Sequence, residues 1–186
     1  MFFSIPLLIV ALGGLFSERS GVVNIALDGI MIMGAFCGIF LINQLQDRMS
    51  GQGLLALAIL VSMLSGMIFS LLHAYAAINL KSDQVISGTA LNMFAPAFAI
   101  YAARTLQPTG VQQVVFENTF RIKSVPVLGD IPVLGNLLFQ NCYITTYLGL
   151  LILIVATVVL YKTRFGLRLR ACGEHPQAAD SVGINV

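Results

Sequence analysis

Five long stretches of this sequence hold almost no charge, and any fold must find a place for them. They cover residues 2–16, 22–42, 54–80, 85–103 and 144–161, and Asp28 is the one Asp, Glu, Lys or Arg among them. A helix needs about 20 predominantly apolar residues to cross the hydrocarbon of a bilayer, and four of the five runs come close to that length or pass it. The composition agrees: 58% of the 186 residues are hydrophobic and 10% are charged, against about 25% charged in a soluble domain. Mean hydropathy is +0.90. The fold class expected is all-α, a polytopic transmembrane helical bundle of about five spans. Residues 2–16 are short for a crossing. Lacking a basic leading region and a small-residue cleavage site, they do not read as a signal peptide; they are either a whole span or one that starts inside a helix.

Several function classes fall away on the same ground. A net charge of +2, with the basic residues scattered except near the end of the chain, gives no footprint for nucleic acid. Cys37, Cys142 and Cys172 are far apart and form no CxxC pair, and His73 and His175 make no cluster, so neither a disulfide framework nor a metal site is expected. No GxxxxGK[ST] stretch is present to cradle phosphates. Nothing pairs a nucleophile with a base. The chain is not expected to be an enzyme or to need a cofactor.

Polar residues inside the apolar runs are the informative ones. In the second run Asn24 and Asp28 are four residues apart, which places them on one face of a helix spanning 22–42. An ionisable group there either turns toward a wet cavity or is a structural anchor, hydrated at the interface or bonded to Asn24 or a neighbouring helix. Gly34 and Gly38 form a GxxxG, and Ser62, Gly66 and Ser70 make a small-residue stripe in the third run; both patterns let helices approach closely. His73 reads as a packing residue. Asn79 lies near the end of the third run, a short loop covers 81–84, and the fourth run carries Ser87, Thr89 and Asn92 and is interrupted by Pro96. Residues 104–141 are polar and contain PVLGDIPVLGN at 126–136, whose prolines and glycines exclude a continuous helix and point to an ordered loop or interfacial turn.

The end of the chain, KTRFGLRLRACGEHPQAADSVGINV from residue 162, leaves the apolar run and must lie in water beside the membrane. Two helical pieces are expected, one around 165–172 and one from Pro176 to a stop at Gly183, with a bend at Gly173 and Glu174 between them. If each run crosses once, SERSG at 17–21, the 81–84 loop and the tail share one side with six Lys or Arg residues, against four on the other. That bias puts the tail in the cytoplasm and the 104–143 loop outside.

Three stretches, SERSGVVNIALDGIMIMGAF, VISGTALNMFAP and FGLRLRACGEHPQAADSVGI, together resemble the permease subunit of bacterial ABC importers for nucleosides and simple sugars, in the ribose and branched-chain amino acid permease superfamily. The resemblance covers nearly the whole chain except the outward loop. It implies one transmembrane permease domain over 1–186, located in the bacterial cell membrane, continuing in full-length relatives into further helices. It also implies that the tail holds a coupling helix docked on a cytoplasmic ATP-binding subunit, through Ala178, Ala179 and Gly183, preceded by Arg170, Gly173 and Glu174. Further partners implied are a second permease subunit, expected to form a heterodimer, and an extracellular or periplasmic substrate-binding protein that meets the outward loop. The pathway candidates are Asn24, Asp28, Asn79, Gln84, Ser87, Thr89 and Asn92, because uncharged hydrogen-bonding groups suit a hydroxyl-rich solute. The alternative reading is a non-transporting scaffold or passive channel whose basic residues at 162–170 anchor it to membrane lipid.

Overall fold

The computed structural model describes residues 4–107, 110–117, 120, 122–124 and 140–184. Seven helices appear among them: α1 (Ser4–Arg19), α2 (Leu27–Leu45), α3 (Gln52–Ile78), α4 (Gln84–Leu106), α5 (Ile144–Lys162), α6 (Arg164–Glu174) and α7 (Pro176–Ser181). Two three-residue strands, β1 (Ile122–Ser124) and β2 (Gln140–Cys142), pair antiparallel, with Ile122 opposite Cys142 and Ser124 opposite Gln140. The PVLGDIPVLGN repeat lies outside the described residues. α2, α3, α4 and α5 are long and apolar enough to cross a membrane. The 16 residues of α1 rise about 24 Å, short of a hydrocarbon core of about 30 Å.

The chain forms two compact units, Asn24–Thr119 and a second made of Met1–Val23 with Phe120–Val186. In the Asn24–Thr119 unit, α3 packs antiparallel against α2 and α4, while α2 and α4 run the same way. The GxxxG of α2 and the small-residue stripe of α3 meet each other: a Cβ on Gly38 would overlap the Ser62 hydroxyl, and one on Gly34 would lie 3.2 Å from the Ser62 carbonyl. Further along, Gly66 faces Ile30. Phe69 stacks on Phe94, Phe94 on Phe98, and Phe98 meets Phe36 edge-on at 6.4 Å, so the aromatic contacts run through all three helices. On its other side α3 exposes Leu60, Met63, Met67 and Leu71, an apolar face suited to hydrocarbon.

Some boundaries differ from the sequence reading. Ser17, Glu18 and Arg19 belong to α1, so the break after it is Ser20–Ala26 rather than SERSG. Helix α4 runs unbroken through Pro96, which removes one backbone donor without ending the helix. Its start is fixed by Asp83, whose Oδ1 accepts from the amides of Val85 (2.8 Å) and Ile86 (3.1 Å).

In the other unit α1 and α5 also run the same way. A Cβ on Gly149 would sit 2.5 Å from Ile5, and Phe16 shares a surface with Val155 and Val159. The chain turns from α5 into α6 at Thr163 alone. Its hydroxyl donates to the Val159 carbonyl (2.5 Å) and accepts from the Gly166 amide (3.2 Å).

Gly38→Leu should lower the thermal midpoint by forcing α2 and α3 apart, with overpacking costs of about 1–3 kcal/mol. Gly13, whose missing Cβ faces open space, supplies the comparison: Gly13→Ala should leave the midpoint unchanged or raise it. Circular-dichroism melts in detergent separate the two, and equal midpoints for both variants would show that the Gly38 contact does not hold the helices.

Candidate functional site

The seven pathway candidates all belong to the Asn24–Thr119 unit. Asn92, on α4, does the most visible work. Its Nδ2 donates to the Ile25 carbonyl (2.7 Å) and its Oδ1 accepts from the Gly29 amide (2.7 Å). In a longer α2 these two backbone groups would bond each other, four residues apart. The Asn92 amide is spliced between them. With a donor on one side and an acceptor on the other, only one orientation of the amide fits.

That splice explains why α2 starts at Leu27 although the apolar run starts at residue 22. It also corrects the placement of Asn24 and Asp28 on one helical face. Asn24 precedes α2 and accepts from the Ala26 amide through its own Oδ1 (3.0 Å), while Asp28 stands in the first turn of α2 and is exposed. A carboxylate there stands at the positive end of the helix. Two glycines permit the close approach. A Cβ on Gly29 would lie 2.7 Å from the Leu91 carbonyl, and one on Gly88 would lie 2.9 Å from the Ile25 Cβ. Neither glycine was singled out from the sequence. Gly88 lies four residues before Asn92, and Gly29 three residues after Ala26, a small-residue spacing that only the pairing of α2 with α4 makes meaningful.

The other candidates are dispersed. Ser87 bonds Nδ1 of His73 across α3 and α4 (3.1 Å). His73 is 4% exposed, and its Nε2 has no partner among the described residues. Thr89 is exposed and donates to carbonyls of its own helix, at Val85 or Ile86. Asn79 caps the end of α3 and is exposed, and Gln84 opens α4 half-buried. Residues 110–117 are tied to the far end of α2, where Asn43 donates to the Val115 carbonyl (2.7 Å) and the Glu117 amide donates to Gln46 Oε1 (3.1 Å). A cleft of about 190 Å³ lies there, lined by Phe36, Ile100 and Gln112 among others, and holds none of the seven.

The tail candidates all belong to the other unit, where their roles divide. α6 continues through Glu174, so the expected bend at Gly173 and Glu174 falls instead at His175 (φ −146°, ψ 84°). Gly173 is a packing residue: a Cβ on it would overlap the Arg19 carbonyl and approach the Gly21 amide at 3.0 Å. Arg170 folds back, its Nε donating to the Gly166 carbonyl (3.3 Å) and its guanidinium 5.3 Å from the Tyr161 ring centre. Ala179 is buried, while Glu174, Ala178 and Gly183 are exposed. α7 is closed as Pro176 and Gly183 led one to expect. Pro176 is its first residue, Gly183 has φ +80°, the Gly183 amide donates to Asp180, and the Ile184 amide donates to Ala179. That pair of bonds is a Schellman stop, which leaves a rigid turn with Ala178 and Val182 facing outward.

Taken together, the helices define a multi-pass membrane protein with a compact amphipathic tail. Over residues 1–186 the chain matches the family described as branched-chain amino acid transport system / permease component, and it belongs to that family. It is 44% identical over 184 residues to the guanosine ABC transporter permease protein NupQ of Bacillus subtilis, covering 99% of this chain and 57% of that protein. It is 42% identical over 186 residues to the nucleoside ABC transporter permease protein NupC of Lactococcus lactis subsp. cremoris, covering 100% of this chain and 58% of that protein. The chain thus spans somewhat more than half the length of these relatives. No solved structure matches it.

Asn92→Leu removes both halves of the splice while keeping the number and branching of the side-chain heavy atoms. It should lower stability by about 1–3 kcal/mol, the cost of stranding a buried donor and acceptor, and speed hydrogen exchange at the Gly29 amide. An unchanged melt with unchanged exchange at Gly29 would show that the side chain does not clamp the start of α2.

Proposed function

We propose that this chain is part of the membrane-spanning permease component of an ATP-binding-cassette importer that carries nucleosides. The observation that carries this reading is the similarity, along essentially the whole chain, to two permeases whose names specify guanosine and nucleosides. Such a component works by exposing one cavity to two sides in turn, driven by a subunit that binds the two states unequally. ATP hydrolysis belongs to a separate cytoplasmic subunit, a second permease chain completes the pathway as a heterodimer, and an extracellular or periplasmic binding protein delivers the solute to the outward loop. The tail is cytoplasmic.

In this reading the two groups of candidates have different tasks. The α7 turn is the docking element, with Glu174, Ala178 and Gly183 at the contact. Arg170, Gly173 and Ala179 hold α6 and α7 rigid on their own unit, so that a push on the turn is not dissipated. In the pathway set, Asn24 and Asn92 keep the start of α2 open, Ser87 is held by His73, and Asp28, Asn79 and Thr89 are the exposed polar groups left to meet hydroxyls of a passing solute. Gln84 stands at the mouth of α4.

Ala178→Trp alters only the outward side of α7. In the complete transporter it should cut ATP-driven uptake of radiolabelled guanosine by about tenfold or more, the equivalent of losing roughly 1.4 kcal/mol of docking, with the amount of inserted protein unchanged. Ala178→Cys should cross-link to the ATPase subunit. Normal uptake together with cross-links to lipid alone would remove the importer reading in favour of a passive channel or scaffold.

A further inference from the structure

Building on the nucleoside importer reading above, we propose that Nε2 of His73, in the seam between α3 and α4, binds a ribose hydroxyl of the solute and selects for it. His73 is 4% exposed, so it is packed, as its place in an apolar run led one to expect. Packing accounts for only part of the ring. Nδ1 meets the Ser87 hydroxyl at 3.1 Å, while Nε2 is buried without a partner among the described residues. A buried polar atom without a bond is costly, and native proteins rarely leave one so. A leucine would fill the same seam at no such cost. Ionisable side chains inside membrane spans mark solute and ion pathways more often than inert packing.

The ring also limits what it can bind. In a neutral imidazole one nitrogen donates and the other accepts. The Ser87 hydroxyl can play either part, so Nε2 is a donor in one tautomer and an acceptor in the other. A hydroxyl serves both. A carbonyl would suit the first alone, and an amine without a free lone pair the second alone. The solute proposed above carries hydroxyls of this kind on its ribose.

α3 and α4 are also the pair of helices best able to part. Gly34, Gly38 and Gly66 bring α2 and α3 together, and Gly29 and Gly88 bring α4 against α2 and Ile25 just before it. α3 and α4 meet instead through side chains, in the His73–Ser87 bond and in the stack of Phe69 on Phe94 at 6.5 Å. Side chains can swing where backbones in glycine contact cannot slide. Parting α3 from α4 brings Nε2 and the Ser87 hydroxyl to the solute while the contacts with α2 hold, and closing the seam buries them again.

Two amides separate solute binding from packing at this position, because a Gln side chain reaches about as far as Nε2 and an Asn side chain about as far as Nδ1. The complete transporter is placed in nanodiscs without its binding protein, and equilibrium binding of radiolabelled guanosine is measured with 2′,3′-dideoxyguanosine as competitor. Wild type should bind guanosine saturably and the dideoxy analogue about tenfold more weakly or worse. His73→Gln should keep that preference. His73→Asn, which retains a group for Ser87, and His73→Leu should bind guanosine about tenfold more weakly and treat the two solutes alike. Copurification of the ATPase subunit with each variant reads loss of fold separately. The reverse order, with Asn behaving as wild type and Gln as Leu, would show that the ring serves only the Ser87 bond and would overturn the proposal. Equal affinities of wild type for the two solutes, or no saturable guanosine binding, would overturn it too. The importer reading fails on a different result, the absence of ATP-driven guanosine uptake by wild type supplied with its binding protein.

Discussion

Hydrocarbon offers a backbone nothing to bond with, and the start of α2 is where this chain meets that constraint most directly. The residues before Leu27 are apolar yet not helical, so their amides and carbonyls need partners from elsewhere in the protein. One side chain, Asn92, supplies both a donor and an acceptor, at Ile25 and Gly29. Asn24 supplies another acceptor. The packing follows from that bond pair, because a side-chain amide as short as asparagine reaches across only if the two backbones nearly touch. Gly29 and Gly88 are the residues that let them touch. The hydrogen bonds and the glycines are therefore one device, in which neither half would form without the other.

The same coupling of small residues with polar groups recurs at the α5–α6 corner. Thr163 bonds forward and back, and Gly166 removes the Cβ that would strike the last carbonyls of α5. Where this chain turns sharply, a hydroxyl or amide satisfies the backbone and a glycine makes the room. The contact of Gly38 with Ser62 differs in kind. There no helix ends, and the gain is close packing, which in lipid stands in for the hydrophobic drive available in water.

How much of this could be read from the residues depended on whether the determining partner was near in sequence. The ends of α3 and α5 fall within about two residues of the expected bounds, the usual scatter of helix assignment, because polar residues flank both runs. The Pro176 start and Gly183 stop of α7 were equally legible, since capping is local. The start of α2 was not. Residues 22–26 are as apolar as those that follow, and the side chain that keeps them from continuing the helix is Asn92, more than 60 residues later. Gly173 misled for the matching reason: a glycine near a polar residue reads as a bend, but here its lack of a side chain serves contact with Arg19, and His175 makes the break. Asn92 itself was named for its polarity, while its function as a clamp depends on which helix lies opposite.

The basic tail shows why a count of charges is a blunt guide to what they do. Lys162, Arg164, Arg168 and Arg170 enter such a count equally, and the bias they create was the main argument for orientation. The structure separates them. Arg170 is bound to a carbonyl and an aromatic ring of its own unit, where it steadies the corner below α6. Arg164 and Arg168 are left with their charge facing outward beside Phe165 and Leu167. A cation already committed to a ring and a carbonyl has less to gain from a new counter-charge than one that is still fully hydrated, because the first must break existing contacts to pair again. Within a few residues, then, the chain holds two populations of positive charge, one internal and structural, the other turned to the surroundings, and the spacing of glycines along α6 decides which residue joins which.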